Sequence, residues 1–208
     1  MAAISFHNTL HGFWAERETG TAALKENLLQ QRTAMSEAVL FKVFLYLWKA
    51  YDTLDRERAL EIIAAYGVGP RTVRLPRTYW YRLTMVAKSG GYFGRPFKGY
   101  QGVTQGDPLP PMIFNGVLDS VIRHWVTLVT PTAEGTGGLS LTIIDLASYF
   151  YTNDGLVAST QPERLQRNFD VLTGIFDRFH LQKNTANTVG MVCQPFHAPG
   201  SMSEDAYV

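Results

Sequence analysis

Ser148-Tyr-Phe-Tyr-Thr-Asn-Asp-Gly-Leu-Val-Ala158 places two short apolar and aromatic runs on either side of a polar Asn-Asp-Gly. Alternation of this kind, interrupted by Asn-Gly and Asp-Gly type turn residues, predicts a β-hairpin, because such residues supply the positive-φ positions that a tight turn needs. Asp154 stands at its tip, with Asn153 beside it. Acidic chemistry at a hairpin tip calls for a sheet to hold it, and the flanking sequence supplies the remaining parts.

Residues 39–47 form a β-rich apolar run long enough for one buried strand. A helical pattern precedes it over 21–37, with Leu24, Leu28 and Met35 recurring on one face. Asp55 predicts a helix cap for a helix through Tyr66, with Leu60 and Ile63 inward and Gly67 as its stop. Pro70 suits the first turn of another helix toward Trp80, although Pro76 inside it removes a hydrogen bond and costs roughly 3 kcal/mol. Residues 83–88 and 92–98, joined through Ser-Gly-Gly, read as a second hairpin. A helix over 111–129 carries Ile113, Val117, Val121 and Trp125 on one side, and 130–139 reads as a loop. Thr160-Gln-Pro-Glu163 reads as a capping box opening a helix to about His180, with Leu165, Phe169, Leu172 and Phe176 inward. A last strand follows over 188–194, and the chain frays from 198. Helices interleaved with hairpins predict an α+β fold, an antiparallel sheet with helices packed on one face.

Composition sets the bounds. The chain has 208 residues, 46% hydrophobic and 18% charged, with a formal net charge of +1, enough for one sizeable core and no global attraction to nucleic acid. Lysine and arginine are enriched between Arg71 and Lys98, interleaved with Tyr79, Trp80, Tyr81, Tyr92 and Phe93, which reads either as a basic groove or as a solvated face over an aromatic core. Cys193 is the single cysteine, which excludes an intrachain disulfide and a cysteine-rich zinc site. The five histidines lack metal-ligand spacing; His11, His124 and His180 lie in or beside apolar runs and read as packing or surface residues. The most apolar run is broken by Lys42 and too short to cross a bilayer, and the first thirteen residues lack signal-peptide architecture, so an intracellular chain without membrane attachment is expected.

Four stretches in order resemble the reverse transcriptase family, in its non-LTR and group II intron-like retroelement branch. Leu10-His-Gly-Phe-Trp-Ala-Glu-Arg-Glu-Thr-Gly-Thr21 is similar to the fingers motif Gly-Phe-Arg-x-Gly-Arg-x-Thr. Phe44-Leu-Tyr-Leu-Trp-Lys-Ala-Tyr-Asp52 is similar to Phe-x-Asp-Leu-x-Lys-Ala-Tyr-Asp. Gly102-Val-Thr-Gln-Gly-Asp-Pro-Leu-Pro-Pro-Met-Ile-Phe-Asn115 resembles Gly-x-x-Gln-Gly-Asp-Pro-Leu-Ser-Pro-x-Leu-Phe-Asn. Phe150-Tyr-Thr-Asn-Asp154 matches Tyr-Ala-Asp-Asp at Tyr151 and Asp154, and Leu181-Gln-Lys-Asn-Thr-Ala-Asn-Thr188 is similar to Gly-Leu-x-x-Asn-x-x-Lys-Thr. A lone Asp-Asp or Gln-Gly would be weak; the ordered set over about residues 10–194 is specific.

The resemblance implies a polymerase palm, residues 39–197, with a partial fingers segment at 1–38 and a tail at 198–208. It implies RNA-templated synthesis of DNA from a DNA primer and deoxynucleoside triphosphates by two-metal nucleotidyl transfer, with Mg2+ as the cofactor. Two divalent ions clamp the attacking hydroxyl and the leaving pyrophosphate, and magnesium prefers hard carboxylate and phosphate oxygen. The family uses three aspartates for this. At those positions the chain has Tyr46, Asn153 and Asp154, so one carboxylate remains as a catalytic and metal-binding candidate. Asn153 offers a neutral carbonyl oxygen, and Tyr46 a phenol bulkier than the aspartate it replaces.

Asn187 stands where the family carries a lysine associated with pyrophosphate, which removes a general acid. Pro110 replaces a serine, and Trp14 and Glu16 replace arginine and glycine. Other substrate positions persist: Tyr51 matches the aromatic beneath the incoming sugar, and Gln105 and Gly106 match the turn that meets nucleotide and template. The expectation is therefore a palm with little or no polymerase activity. The alternatives are a weakly active enzyme using Asp154 with Asn153, aided by manganese, and a non-catalytic nucleic-acid-binding or scaffold module using Arg71 to Lys98. Against the family pattern the sequence opens at the second fingers motif and stops before a thumb, so weak retention of a primer-template is also expected.

Overall fold

The computed structural model of the chain describes residues 6–13, 17–104, 106, 109–129 and 148–194. Its framework is a sheet around one central strand, β1 (Leu40–Trp48). The hairpin formed by β4 (Ser148–Tyr151) and β5 (Asp154–Ser159) pairs with one side of β1, through β5. On its other side β1 pairs with β6 (Gln182–Lys183) and β7 (Val189–Cys193), all antiparallel. A separate small hairpin joins β2 (Lys88–Ser89) to β3 (Tyr92–Phe93).

Period-two alternation along β1 sorts its side chains between two faces. Leu45 and Leu47, with partly buried Phe41 and Val43, enter the main core, which helices α5 (Leu109–Val129) and α6 (Pro162–Arg178) cover. Ile113, Val117, Val121 and Trp125 of α5 are all buried there, as the 3.6-residue period predicts, and the Trp125 indole donates to the Asn168 carbonyl of α6 at 2.8 Å. Helices α3 (Arg56–Ala65) and α4 (Pro70–Arg82) extend this layer, α3 resting on α5 through buried Ala59 and Leu60. Asp55 caps α3 by accepting from the Arg58 amide at 3.0 Å. Pro70 opens α4, which continues unbroken through buried Pro76.

The opposite face of β1 carries Lys42, Phe44 and Tyr46. Helix α1 (Thr19–Met35) covers its far end, where Leu29 packs on Leu40 and Ala158 and Glu26 accepts from Lys42 at 2.8 Å. The Lys42 side chain is fully buried.

Three local readings change. Leu24, Leu28 and Met35 do not face the core; Met35 is 87% exposed, because α1 contacts the sheet through Glu26, Leu29 and Gln30 instead. The capping box at Thr160 is not formed: Gln161 is the N-cap without a side-chain bond, since Pro162 begins the helix and the Ser159 hydroxyl takes the Gln161 amide at 3.1 Å. The second hairpin is shorter than its sequence pattern, turning at Gly90-Gly91, both at positive φ, with Met85 bridging to Phe97. The expected loop at 130–139 and the frayed end from 198 lie outside the described residues.

Candidate functional site

The tip of the β4–β5 hairpin brings the sequence-selected residues together. Tyr151 pairs with Asp154, so the turn is the two residues Thr152-Asn153, with Thr152 at φ 54°. Sequence placed the turn signal in Asn-Asp-Gly; the positive φ falls one residue earlier and Gly155 lies within β5. Its glycine serves close packing: a Cβ there would sit 2.7 Å from the buried Phe150 ring. The Thr152 hydroxyl donates to the Asn153 side-chain oxygen at 2.8 Å, holding the amide against the turn.

Strand register then sets the chemistry. Tyr46 is the direct partner of Asp154, and the Leu47 amide donates to the Asn153 carbonyl at 2.8 Å. Directly paired side chains share a face with Cβ atoms about 5 Å apart. Asp154 is exposed, and partial desolvation still holds its carboxyl above its ordinary range. The Asn184 amide donates to the Tyr46 carbonyl at 2.7 Å, tying the 3₁₀ turn Thr185–Asn187 to the same strand end. Asn187 sits at the exposed end of that turn.

A cleft of about 380 Å³ opens beside the tip, lined by Tyr46, Tyr51, Gly106 and Asn153, together with Lys49 and the Pro110-Pro111 start of α5. Tyr51 lies on the short helix α2 (Ala50–Thr53) and stacks on Phe114 at 4.9 Å between centroids. Burial, and secondarily Tyr151, pushes its phenol up to about 12, and its hydroxyl has no hydrogen-bond partner among the described residues. The loop below is pinned by Val103 N–H to Tyr51 O at 2.8 Å and Gly102 N–H to Leu54 O at 2.9 Å. Gly102, at φ +73°, passes so close that a Cβ would lie 2.3 Å from the Asp52 carbonyl oxygen. Gln105 lies outside the described residues.

Residues 9–12 close the other edge of the hairpin. Phe150 N–H reaches Thr9 O at 2.7 Å and His11 N–H reaches Phe150 O at 2.8 Å, a parallel bridge. Gly12 approaches Thr152 with no room for a side chain, and the Asn115 amide donates to the Gly12 carbonyl. Burial, then the charges of Lys25 and Arg17, lower the His11 pKa to about 4. His11 is thus a buried packing residue, as its apolar context suggested.

As a metal-binding set the tip holds one carboxylate, one phenol and one amide. No group of three His, Cys, Asp or Glu side chains suited to a metal ion occurs among the described residues. That donor set does not fit a pair of hard divalent cations. Lys49, Thr152 and Pro111 were not singled out from the sequence as cleft residues; Lys49 was legible, since it stands inside the Lys-Ala-Tyr-Asp match.

The chain is 32% identical over 126 residues to the Retrovirus-related Pol polyprotein from type-1 retrotransposable element R2 of Nasonia vitripennis, a match covering 58% of this chain and 12% of that protein. Its fold aligns with apo telomerase from Candida tropicalis at TM-score 0.65 and 13% identity, over 89% of this chain and 33% of that one. Telomerase from the same organism in complex with a TWJ fragment of telomeric RNA aligns at TM-score 0.64 and 13% identity, over 88% and 30%. The ordered motifs, the R2 match and the shared fold agree. The chain has a reverse transcriptase-like fold. The R2 relative is a retroelement protein, and the chain spans a small part of the length of each of these relatives. No protein-family model matches the chain. None of its described helices is long and apolar enough to cross a membrane.

Proposed function

We propose that the chain is a reverse transcriptase-type palm, with residues 1–38 as part of its fingers, in which nucleotidyl transfer is lost or severely reduced while the substrate cleft persists. The observation that carries this reading is the register of Tyr46 opposite Asp154. The three positions that the family fills with aspartates meet at one tip, and they bring one negative charge. Two magnesium ions bring four positive charges, and nucleotidyl transfer needs them held at fixed separation between primer and triphosphate. A phenol and an amide supply no compensating charge. Asn187, on the turn hooked to Tyr46, replaces a proton donor with an amide.

The ancestral partners of such a domain are an RNA template, a DNA primer and deoxynucleoside triphosphates. Tyr51, stacked on Phe114 with an unpartnered hydroxyl in the cleft wall, supports a retained sugar-facing position, and Gly106 supports the adjoining turn. The Candida telomerase solved with an RNA fragment supports a nucleic-acid partner for this fold. The test is primer extension on poly(rA)/oligo(dT) with Mg2+ and, separately, Mn2+. No incorporation above background is expected; incorporation that Asp154→Asn abolishes would overturn the reading.

A further inference from the structure

The sheet treats its two edges differently. On one side residues 9–12 lie along β4, through the bridge of Leu10 to Phe150, and so cover that edge. On the other side β7 pairs with β1, and among the described residues no strand pairs with its outer edge. A free edge presents a row of unpaired N–H and C=O groups, which folded proteins blunt with lysine, proline or a bulge. Strand β7 has none of these. Its sequence is Val-Gly-Met-Val-Cys, and its register with β1 runs unbroken from Leu40 opposite Cys193 to Phe44 opposite Val189.

Both faces of this strand are apolar. Alternation puts Val189, Met191 and Cys193 on the face of Phe44, Lys42 and Leu40, and Gly190 and Val192 on the face of Val43 and Phe41. Helix α1 meets the strand at its end, where the Gln30 amide donates to the Cys193 sulfur at 3.9 Å. Beyond that contact Val189 is 47% exposed, and Met191 and Val192 are each 42% exposed. A Cβ added at Gly190 would meet open space.

Charge is missing as well, and that decides the partner. Between Lys183 and Glu204 the sequence has no aspartate, glutamate, lysine or arginine, in a chain that is 18% charged. A charged polymer or peptide finds no counter-charge along β7. A second copy of the chain finds no repulsion, although a two-fold axis sets whatever lies at its centre against itself.

The strand is also self-complementary. Antiparallel pairing about a two-fold axis at Met191 sets Met191 against its own copy, Val189 against Cys193 and Gly190 against Val192, so that all five residues take part. Every opposed pair then shares a face, as an antiparallel ladder requires. The branched Val192 side chain covers the bare backbone of Gly190, the residue that weakens an isolated strand.

We propose that two copies of the chain associate through β7, edge to edge and antiparallel, joining their sheets into one. Because residues 9–12 cover the opposite edge, the assembly closes at two and does not grow into a fibre. A pair of five-residue strands makes a small interface, under about 1,200 Å², so the dimer is reversible. This inference goes beyond the polymerase reading and does not depend on it.

The experiment is sedimentation velocity of the whole chain across the micromolar range. A reversible monomer–dimer equilibrium is expected, with a dissociation constant that changes less than about 3-fold between low and high salt, since no charged side chain lies on the edge. Met191→Lys places two ammonium groups against each other at the axis and should raise that constant by at least about 10-fold. Met191 is exposed in the single chain, so the lysine is solvated there, and circular dichroism confirms that the variant folds. Leu28→Lys, on the exposed face of α1, should leave the equilibrium unchanged. Cross-linking reads the register independently. Met191→Cys in a Cys193→Ser background should oxidise to a disulfide-linked dimer, its Cβ atoms about 4.5–5.5 Å apart, whereas Val192→Cys in the same background, diagonal to its copy at about 7–8 Å, should not. Three results would each overturn the proposal: a monomer at every concentration, a dimer that Leu28→Lys disrupts and Met191→Lys does not, or equal cross-linking at positions 191 and 192. Primer extension is silent on all three, so the two readings fail separately.

Discussion

Tyr46→Asp combined with Asn153→Asp rebuilds a three-carboxylate tip and turns the missing charge into a measurable stability. The new carboxylate at 46 would face Asp154 across a direct strand pair, and that at 153 would precede it in the turn. With carboxylates about 6 Å apart in the partly wet tip, Coulomb repulsion is about 1 kcal/mol per pair, so three pairs cost about 3 kcal/mol without metal. For a domain of this size each kcal/mol moves the melting temperature by about 2–4 °C. The double variant should therefore melt roughly 6–12 °C below the parent in EDTA. Magnesium at a hundred times its dissociation constant returns about 2.7 kcal/mol, which recovers most of that loss. The parent should shift by less than about 1 °C on the same addition. Differential scanning fluorimetry with EDTA, Mg2+ and Ca2+ measures all three states. A parent that gains as much from Mg2+ as the variant would refute the charge argument, as would a variant that loses no stability in EDTA.

His11 is held neutral with a pKa of about 4, below the ordinary value near 6.5, so the unfolded chain binds a proton that the folded chain excludes. Stability should be full above pH 6.5 and fall between pH 6.5 and 4, by on the order of 1–2 kcal/mol after solvent screening, and His11→Gln should flatten that limb in urea titrations. Glu26→Gln strips the partner from the fully buried Lys42 and should cost about 3 kcal/mol, whereas Lys42→Met, which removes the buried charge itself, should cost under about 1 kcal/mol; equal losses in denaturant midpoints would contradict this. Gly102→Ala meets both a left-handed φ and the Asp52 backbone, and should cost roughly 2–4 kcal/mol with faster proteolysis of the 83–104 segment, while a neutral effect would show that the loop can move freely.

Much of the framework was legible because long periodic segments carry their own signal. Ile113, Val117, Val121 and Trp125 announced α5, and all four are buried as the period required. The tip was legible for a different reason: Asp154 and Asn153 sit in a hairpin pattern, and the ordered motifs associated Tyr46 with them before register placed Tyr46 opposite Asp154. What failed was local direction. Leu24 and Leu28 form a plausible stripe, but the sheet end beneath α1 presents Lys42, so the helix turns Glu26 toward it. The turn at the tip was misplaced because Gly155 signals a tight turn equally well when its real reason is the Phe150 ring. The Pro110-Pro111 start of α5 reaches the cleft through tertiary packing that no spacing encodes.

The central place of β1 also governs how the chain emerges from a ribosome. Every strand that pairs with β1 lies roughly 100 residues or more beyond it in the chain. At about 5–20 residues per second, Leu-Phe-Lys-Val-Phe-Leu-Tyr-Leu-Trp would wait on the order of 5–20 s before its first partner is made. A nine-residue apolar and aromatic strand left unpaired for that time is a nucleus for intermolecular β-pairing. Lys42 is the single charge within it, and before Glu26 and the closing sheet bury that ammonium it guards the nascent strand against its own kind.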